Sequence, residues 1–416
     1  MKLEKLRRNR LWRNVPVFLA ILGPGIITGS VDNDAGGITT YSIAGASYGY
    51  QLLWTLIPAF VVLLVVQEMN ARMGLKTGKG LADLIRENTG VKATFFIFAG
   101  LLVADLGNTT TEFAGVAGSM EVFGVSKYIS VPLTGAAVWL LVVKGTYRIA
   151  ERIFLVFSAF LLSYVVSAIM GNPDWAVISH SIMHPVVSYD FDYVTMVIGI
   201  IGTTIAPWMQ FYMQSAVIEK GLREEDYLFT LLDVIIGCIA TVVVAFFIIV
   251  SCAATLHEHG VHIEYAKDAA ASLRPFAGQF ASQVFALGLF VASVFSATIL
   301  PVAASFYVCE AFGFEAGIDK ELKEAPQFYT LYTVLLLTAM GIILLPGAPL
   351  IRITLWSQVL NGIFLPVVLI CMILLVNNPE IMGTRVNNRF QNFVGWATVV
   401  SLTLLSLSLL VFGVLR

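Results

Sequence analysis

The chain has 416 residues, 58% of them hydrophobic and only 12% charged, with a mean hydropathy of +0.83. A water-soluble domain of this length has no core large enough to hide so much apolar surface, so the surrounding solvent is lipid. The formal net charge of -2, with no basic tract beyond the N-terminal arm and no Gly-rich phosphate loop, gives no reason to expect a nucleic-acid partner.

The opening MKLEKLRRNRLWRN is basic and is not followed by a small-residue cleavage site, so residues 1–15 read as a cytosolic arm rather than a signal peptide. A spanning helix needs roughly 20 apolar residues. Eleven such runs follow, near 16–46, 51–73, 94–123, 128–145, 152–170, 192–217, 228–254, 278–311, 327–345, 350–376 and 393–415.

Span 1 is interrupted: GPGIITGSVDNDAGG sets Gly23, Pro24, Gly25, Gly29, Gly36 and Gly37 around Asp32, Asn33 and Asp34, at a depth where carboxylates are costly. Span 3 carries Asp105, Asn108 and Glu112 at i, i+3, i+7 spacing on one helical face, which suits either a structural polar seam or a residual proton path. Span 6 is interrupted as well, with Gly202, Thr203, Thr204 and Pro207 in the middle of GIIGTTIAPWMQ. Pro207 has no amide hydrogen and so frees the Thr203 carbonyl.

All five histidines, His180, His184, His257, His259 and His262, fall in two loops expected on the outside, and none lies in a span. His257, Glu258, His259 and His262 form a cluster that reads as a solvated loop before it reads as a metal site. Cys238, Cys252, Cys309 and Cys371 lie in or beside apolar runs without C-x-x-C spacing, which predicts buried small hydrophobes.

With the N-terminus in the cytosol, twenty of the 25 Lys and Arg residues fall in cytosolic segments; only Lys127, Lys267, Arg274, Arg352 and Arg416 fall outside. This asymmetry supports an odd number of spans and an extracellular C-terminus. The two interruptions are five spans apart, and a repeat of five must insert its second copy upside down. The predicted fold is thus an all-α polytopic membrane protein with eleven transmembrane helices: a LeuT-like inverted repeat over 16–170 and 192–376, broken helices 1 and 6, and an additional helix 11 at 393–415. Unpaired backbone at membrane depth is tolerated where it lines a cavity or meets a ligand, and Asp34 beside the break favours a cation site over a mere kink.

The run GPGIITGSVDNDAGGITTYSIAGASYGYQLLW resembles the first-helix signature of the NRAMP divalent-metal transporters, with its GPG opening, DPGN motif and GYxLLW stretch. GIIGTTIAPWMQFYMQSAV is similar to the family's segment around MPHN, and further matches are SQV at Ser357 to Val359 and IMG at Ile381 to Gly383. The resemblance covers about residues 20 to 390 and implies a membrane transporter of divalent cations, in a prokaryotic cell membrane, with no cofactor, no catalytic residue and no obligatory protein partner.

The departures bear on the ion. Against DPGN stand Asp34, Ala35, Gly36 and Gly37, so the acid stays and the side-chain amide goes. Against MPHN stand Ala206, Pro207, Trp208 and Met209, which removes the thioether and the imidazole. Against DLAEVIG stand Glu112 and then Gly115 in place of the second acid, so Trp208, Gly115 and Glu112 are substituted proton-path positions. A thioether suits transition metals and offers little to Mg2+, which prefers oxygen ligands and gives up its waters reluctantly.

These substitutions are similar to those expected of NRAMP-related magnesium transporters: Mg2+, and Mn2+ with poor discrimination, carried partly hydrated by alternating access without proton coupling. The expected metal site comprises Asp34, Gly37, the Thr203 carbonyl, Ala206 and Gln358, with Thr204, Asn361 and Asp32 as weaker candidates and Met209 as a packing residue. Losing side chains at Gly37 and Ala206 is expected to enlarge it. A proton-coupled Mn2+ or Fe2+ transporter and a sodium-coupled solute symporter of the same fold remain alternatives; an intramembrane hydrolase lacks the histidine it would need.

Overall fold

The computed structural model describes residues 24–144, 158–264, 266–317 and 320–415. The N-terminal arm at 1–15, the start of span 1 and the first residues of span 5 lie outside the described residues. Among those described, regular structure is helical throughout and no strand occurs.

Span 1 is two helices, α1 (Pro24–Asp32) and α2 (Ala35–Tyr48). Then come α3 (Leu56–Thr77), the short α4 (Leu81–Thr89), α5 (Val91–Val122), α6 (Lys127–Val143) and α7 (Leu162–Met170). A further short helix, α8 (Trp175–Met183), precedes the broken span 6, which is α9 (Phe191–Thr204) and α10 (Pro207–Glu219). The chain closes with α11 (Tyr227–Cys252), α12 (Ala281–Phe312), α13 (Pro326–Leu344), α14 (Leu350–Val376) and α15 (Arg389–Leu415). Among the described residues eight helical stretches are long and apolar enough to cross a membrane by themselves; α6, the split span 1 and α7 occupy the other predicted positions. The four cysteines are buried and unbridged, as their surroundings predicted.

The loops predicted to hold the histidines are more ordered than composition suggested. Asp174 caps α8 by accepting from the amides of Ala176 and Val177. Asp190 caps α9, and hydrogen bonds from the Ser188 hydroxyl and the Tyr193 amide hold its carboxyl below the ordinary carboxylate range. His257 donates to the Ala46 carbonyl at the end of α2 (2.9 Å), and His259 donates to Thr255 (2.8 Å). These rings terminate helices rather than converge on an ion, and among the described residues no group of three His, Cys, Asp or Glu side chains is arranged to hold a metal.

The helices sort by contact. α5, α12, α13 and α14 pack together, while α1 and α2 lie on α11 and α10 lies on α3. α9 crosses α14 so closely that glycine is required on both: a Cβ on Gly202 would collide with the Gln358 carbonyl oxygen, and one on Gly362 would come within 2.6 Å of the Ile198 carbonyl. This crossing sets how near the broken end of α9 comes to Gln358.

Gly202→Ala is therefore expected to destabilise the protein by about 1–3 kcal/mol through overpacking, read as a lower melting temperature in detergent. Gly199→Ala, one turn earlier, places its Cβ 3.5 Å from Leu355 in ordinary contact, and is expected to leave melting unchanged or raise it.

Candidate metal site

Helix α1 stops at Asp32 because Asn33 and Asp34 leave helical geometry, and α2 restarts with Asp34 as its cap. Asp34 is extended (φ -77, ψ -168) and its Oδ1 accepts the Gly37 amide at 2.8 Å. Its carboxylate thus sits at the positive end of α2, where negative charge is favoured. On span 6, the Ile205 amide makes the last bond of α9, to Ile201, and Pro207 opens α10. A continuous helix would bond Thr203 to the amide of residue 207; with proline there, that donor does not exist.

Four of the expected residues gather around the two breaks. Gln358 lies over Gly36, whose Cβ would collide with the Gln358 amide nitrogen and come 3.0 Å from Asp34 Oδ1, so amide and carboxylate flank one point. As placed, Gln358 Oε1 accepts from Asn361 (3.0 Å), and its NH2 end faces Gly36. Thr203 and Ala206 are buried at the end of α9 and the start of α10.

Of the weaker candidates, Thr204 and Asn361 are engaged elsewhere. The Thr204 hydroxyl donates to the Ile200 carbonyl (2.7 Å) and accepts from Tyr41 (2.8 Å), tying α9 to α2. Asn361 exchanges two hydrogen bonds with Asn108 of α5, at 2.7 and 3.2 Å. Asp32 is 2% exposed and neither of its carboxylate oxygens has a partner.

Two expectations need correction. Gly37 does not open the site, because a Cβ there would lie 2.6 Å from the Asp32 carbonyl oxygen as the chain folds back at the break. The Asp105, Asn108 and Glu112 face is not one seam. Asp105 accepts from Tyr307 and from Asn108 (3.0 Å), and Asn108 continues to Asn361 and Ser357. Glu112 instead turns to span 1, its Oε2 accepting the Ala35 amide at 3.4 Å while its Oε1 is buried without a partner.

Glu112 is the residue whose neighbours the sequence did not show. Its position one turn above Asn108 was visible, but helical spacing does not say which neighbour a face meets. Gly115 is equally informative: a Cβ there would collide with Ser293 of α12 and reach 2.6 Å from Ala35, so no side chain fits. Trp208 is buried against Tyr212 in an edge contact, ring centroids 6.0 Å apart.

The electrostatics follow. Asp32, Asp34 and Glu112 are all buried, and no ion pair among the described residues includes any of them. Uncompensated carboxylates away from water cost several kcal/mol each unless a proton or a cation joins them.

Comparison with known proteins shows the family of the chain. Residues 25–412 match the family model described as Nramp, natural resistance-associated macrophage protein-like. The divalent metal cation transporter MntH of Erwinia tasmaniensis is 31% identical over 403 residues, covering 94% of each chain. MntH of Klebsiella pneumoniae is 29% identical over 393 residues and 92% of each chain. The crystal structure of the Eremococcus coleocola manganese transporter, in complex with an aromatic bis-isothiourea compound, superposes with a TM-score of 0.76 at 20% identity, over 95% of this chain and 87% of that one. Mhp1, a nucleobase-cation-symport-1 family transporter, shares the fold more distantly, with a TM-score of 0.59 and 12% identity over 95% and 91%. The chain is an integral membrane protein that belongs to the Nramp family, all-α and polytopic.

Because Asp34 both caps α2 and carries charge, two substitutions separate the roles. Asp34→Asn retains an acceptor for the Gly37 amide and is expected to melt within about 0.5 kcal/mol of the wild type, whereas Asp34→Ala loses the cap at a cost of about 1 kcal/mol. Both are expected to abolish binding of the tighter cation by calorimetry.

Proposed function

We propose that the protein carries divalent metal ions, Mg2+ foremost and Mn2+ with poor discrimination, through the membrane by alternating access between the two broken spans. The observation that carries this is the group of buried carboxylates, Asp34 and Glu112 with Asp32 close by, lying without a basic partner beside two interrupted helices. The names of the MntH relatives, divalent metal cation transporters, support the substrate class.

Asp34 supplies the anionic ligand and the freed Thr203 carbonyl faces it across the break. Glu112 stands behind Asp34 as a second charge. Gln358 contributes its carbonyl once the amide turns over and releases Asn361. All these donors are oxygens, the set preferred by hard ions, and Ala206 brings no sulfur to favour Mn2+ or Fe2+. Room for a partly hydrated ion comes from Ala206 and from movement of Gln358 away from Gly36 rather than from Gly37. The bound ion lies near the midplane, between an inverted repeat of residues 16–170 and 192–376, with helix 393–415 outside it. The N-terminus is cytosolic and the C-terminus extracellular.

Transport needs no proton. A dication gains about 4.6 kcal/mol at 100 mV, enough to drive uptake alone. Trp208 occupies the position where the family's imidazole would stand, and Gly115 has no space for an acid. One observation favours the alternative, a proton-coupled Mn2+ or Fe2+ transporter: Glu112 is buried against the start of α2 beside Asp34, and two carboxylates so placed hold a proton that an arriving cation displaces.

Uptake into proteoliposomes, followed with Mg2+ or Mn2+ outside and a pH dye inside, decides between them. Mg2+ uptake without a change of internal pH is expected. Acidification in step with uptake, or Mn2+ uptake that excess Mg2+ does not inhibit, rejects the uncoupled magnesium mechanism. Ala206→Met is expected to shift competition toward Mn2+ by about tenfold by adding a soft ligand.

A further inference from the structure

We propose that the face of α1 next to the break, with α3, α10 and α11, forms a second cation station that receives the ion after it leaves Asp34; this rests on the transport function proposed above. Gly25, Thr28, Gly29 and Asp32 recur at i, i+3, i+4 and i+7 and so share one stripe of α1. The first three line a cavity of about 10 Å3 closed by Gln67 of α3, Met209 of α10 and Cys238 and Thr241 of α11, the size of a single water or bare ion. Asp32 stands at the end of the stripe, one turn beyond Gly29 and buried.

Two polar side chains here have no partner. Gln67 is 3% exposed, and neither its amide oxygen nor its amide nitrogen is hydrogen-bonded. Asp32 is 2% exposed, with both carboxylate oxygens equally unpaired. Leaving a buried neutral polar group unpaired is costly, and leaving a charge so costs more.

The donors make an oxygen site. Thr28 and Thr241 spend their hydroxyl hydrogens on the carbonyls of Pro24 and Gly29, which leaves their oxygens as acceptors. With the Asp32 carboxylate and the Gln67 carbonyl they offer the ligands of a hard dication, and Met209 adds one thioether that a hard ion ignores. The cavity lies on the α1 and α10 side of the breaks, where those half-helices, moving together, widen it for an ion that keeps its waters. Asp34 and Asp32 then serve in turn, so neither has to bind so tightly that release becomes slow.

The test is the number of ions bound and the split of the kinetic constants. Wild-type protein titrated with Mg2+ alone, and separately with Mn2+ alone, is expected to bind two ions per chain, the second more weakly. Asp32→Asn and Gln67→Leu, both near-isosteric, are expected to reduce this to one ion. In proteoliposomes they should lower turnover about tenfold while KM, set at Asp34, changes little. One ion per wild-type chain, or either variant turning over as the wild type does, overturns the second station. A second site that fills with Mn2+ but not Mg2+ means ligation by Met209 and overturns the hard-ion assignment. If instead Asp34→Ala still transports while Asp32→Asn does not, the primary site falls and Asp32 stands alone.

Discussion

Two backbone interruptions at the same depth dominate this structure. In lipid, every amide and carbonyl must find a partner within the protein, so a helix that stops midway leaves groups that must be satisfied by design. Span 1 answers with Asp34, whose carboxylate takes the Gly37 amide and starts α2. Span 6 answers less completely, because Pro207 removes the donor that Thr203 would have used. One break therefore presents a negative side chain and the other a carbonyl dipole, and a cation between them satisfies both.

The surrounding packing keeps the breaks in register. Gly202 and Gly362 let α9 and α14 touch at the backbone, which brings Gln358 over Gly36. Tyr41 to Thr204 bridges α2 and α9 across the same gap. Behind them, the chain of Asn361, Asn108, Asp105 and Tyr307 links α14, α5 and α12 with hydrogen bonds between buried polar groups. Away from the site, Arg72 pairs with Glu68 on α3 (2.8 Å) and reaches Asn387 before α15, while Tyr227 at the start of α11 bonds to Glu68.

Much of this was legible in the residues. Hydropathy located the spans because lipid tolerates little else, and Gly and Pro marked the breaks because they fail to sustain a helix there. The order in the loops left no periodic trace, since Asp174 and Asp190 act through local capping bonds. The site was legible in its charge and less so in its contacts. Spacing placed Glu112 on a face with Asn108, but only packing shows that it turns toward Asp34 while Asn108 turns toward Asn361. Losing the side chain at Gly37 suggested open space, yet the Asp32 backbone comes close there, as Ser293 and Ala35 do at Gly115. A glycine reports the absence of room as readily as its presence.

The central claim is that Asp34 and its neighbours form an oxygen-lined seat for a hard, hydrated dication. Pulsed electron paramagnetic resonance of Mn2+ bound to the purified protein tests it most directly, because couplings report the nuclei around the ion. Couplings to exchangeable water protons, no directly coordinated imidazole nitrogen, and loss of the signal on adding Mg2+ are the expected result. A bound ion stripped of water, or one that Mg2+ does not displace, contradicts it.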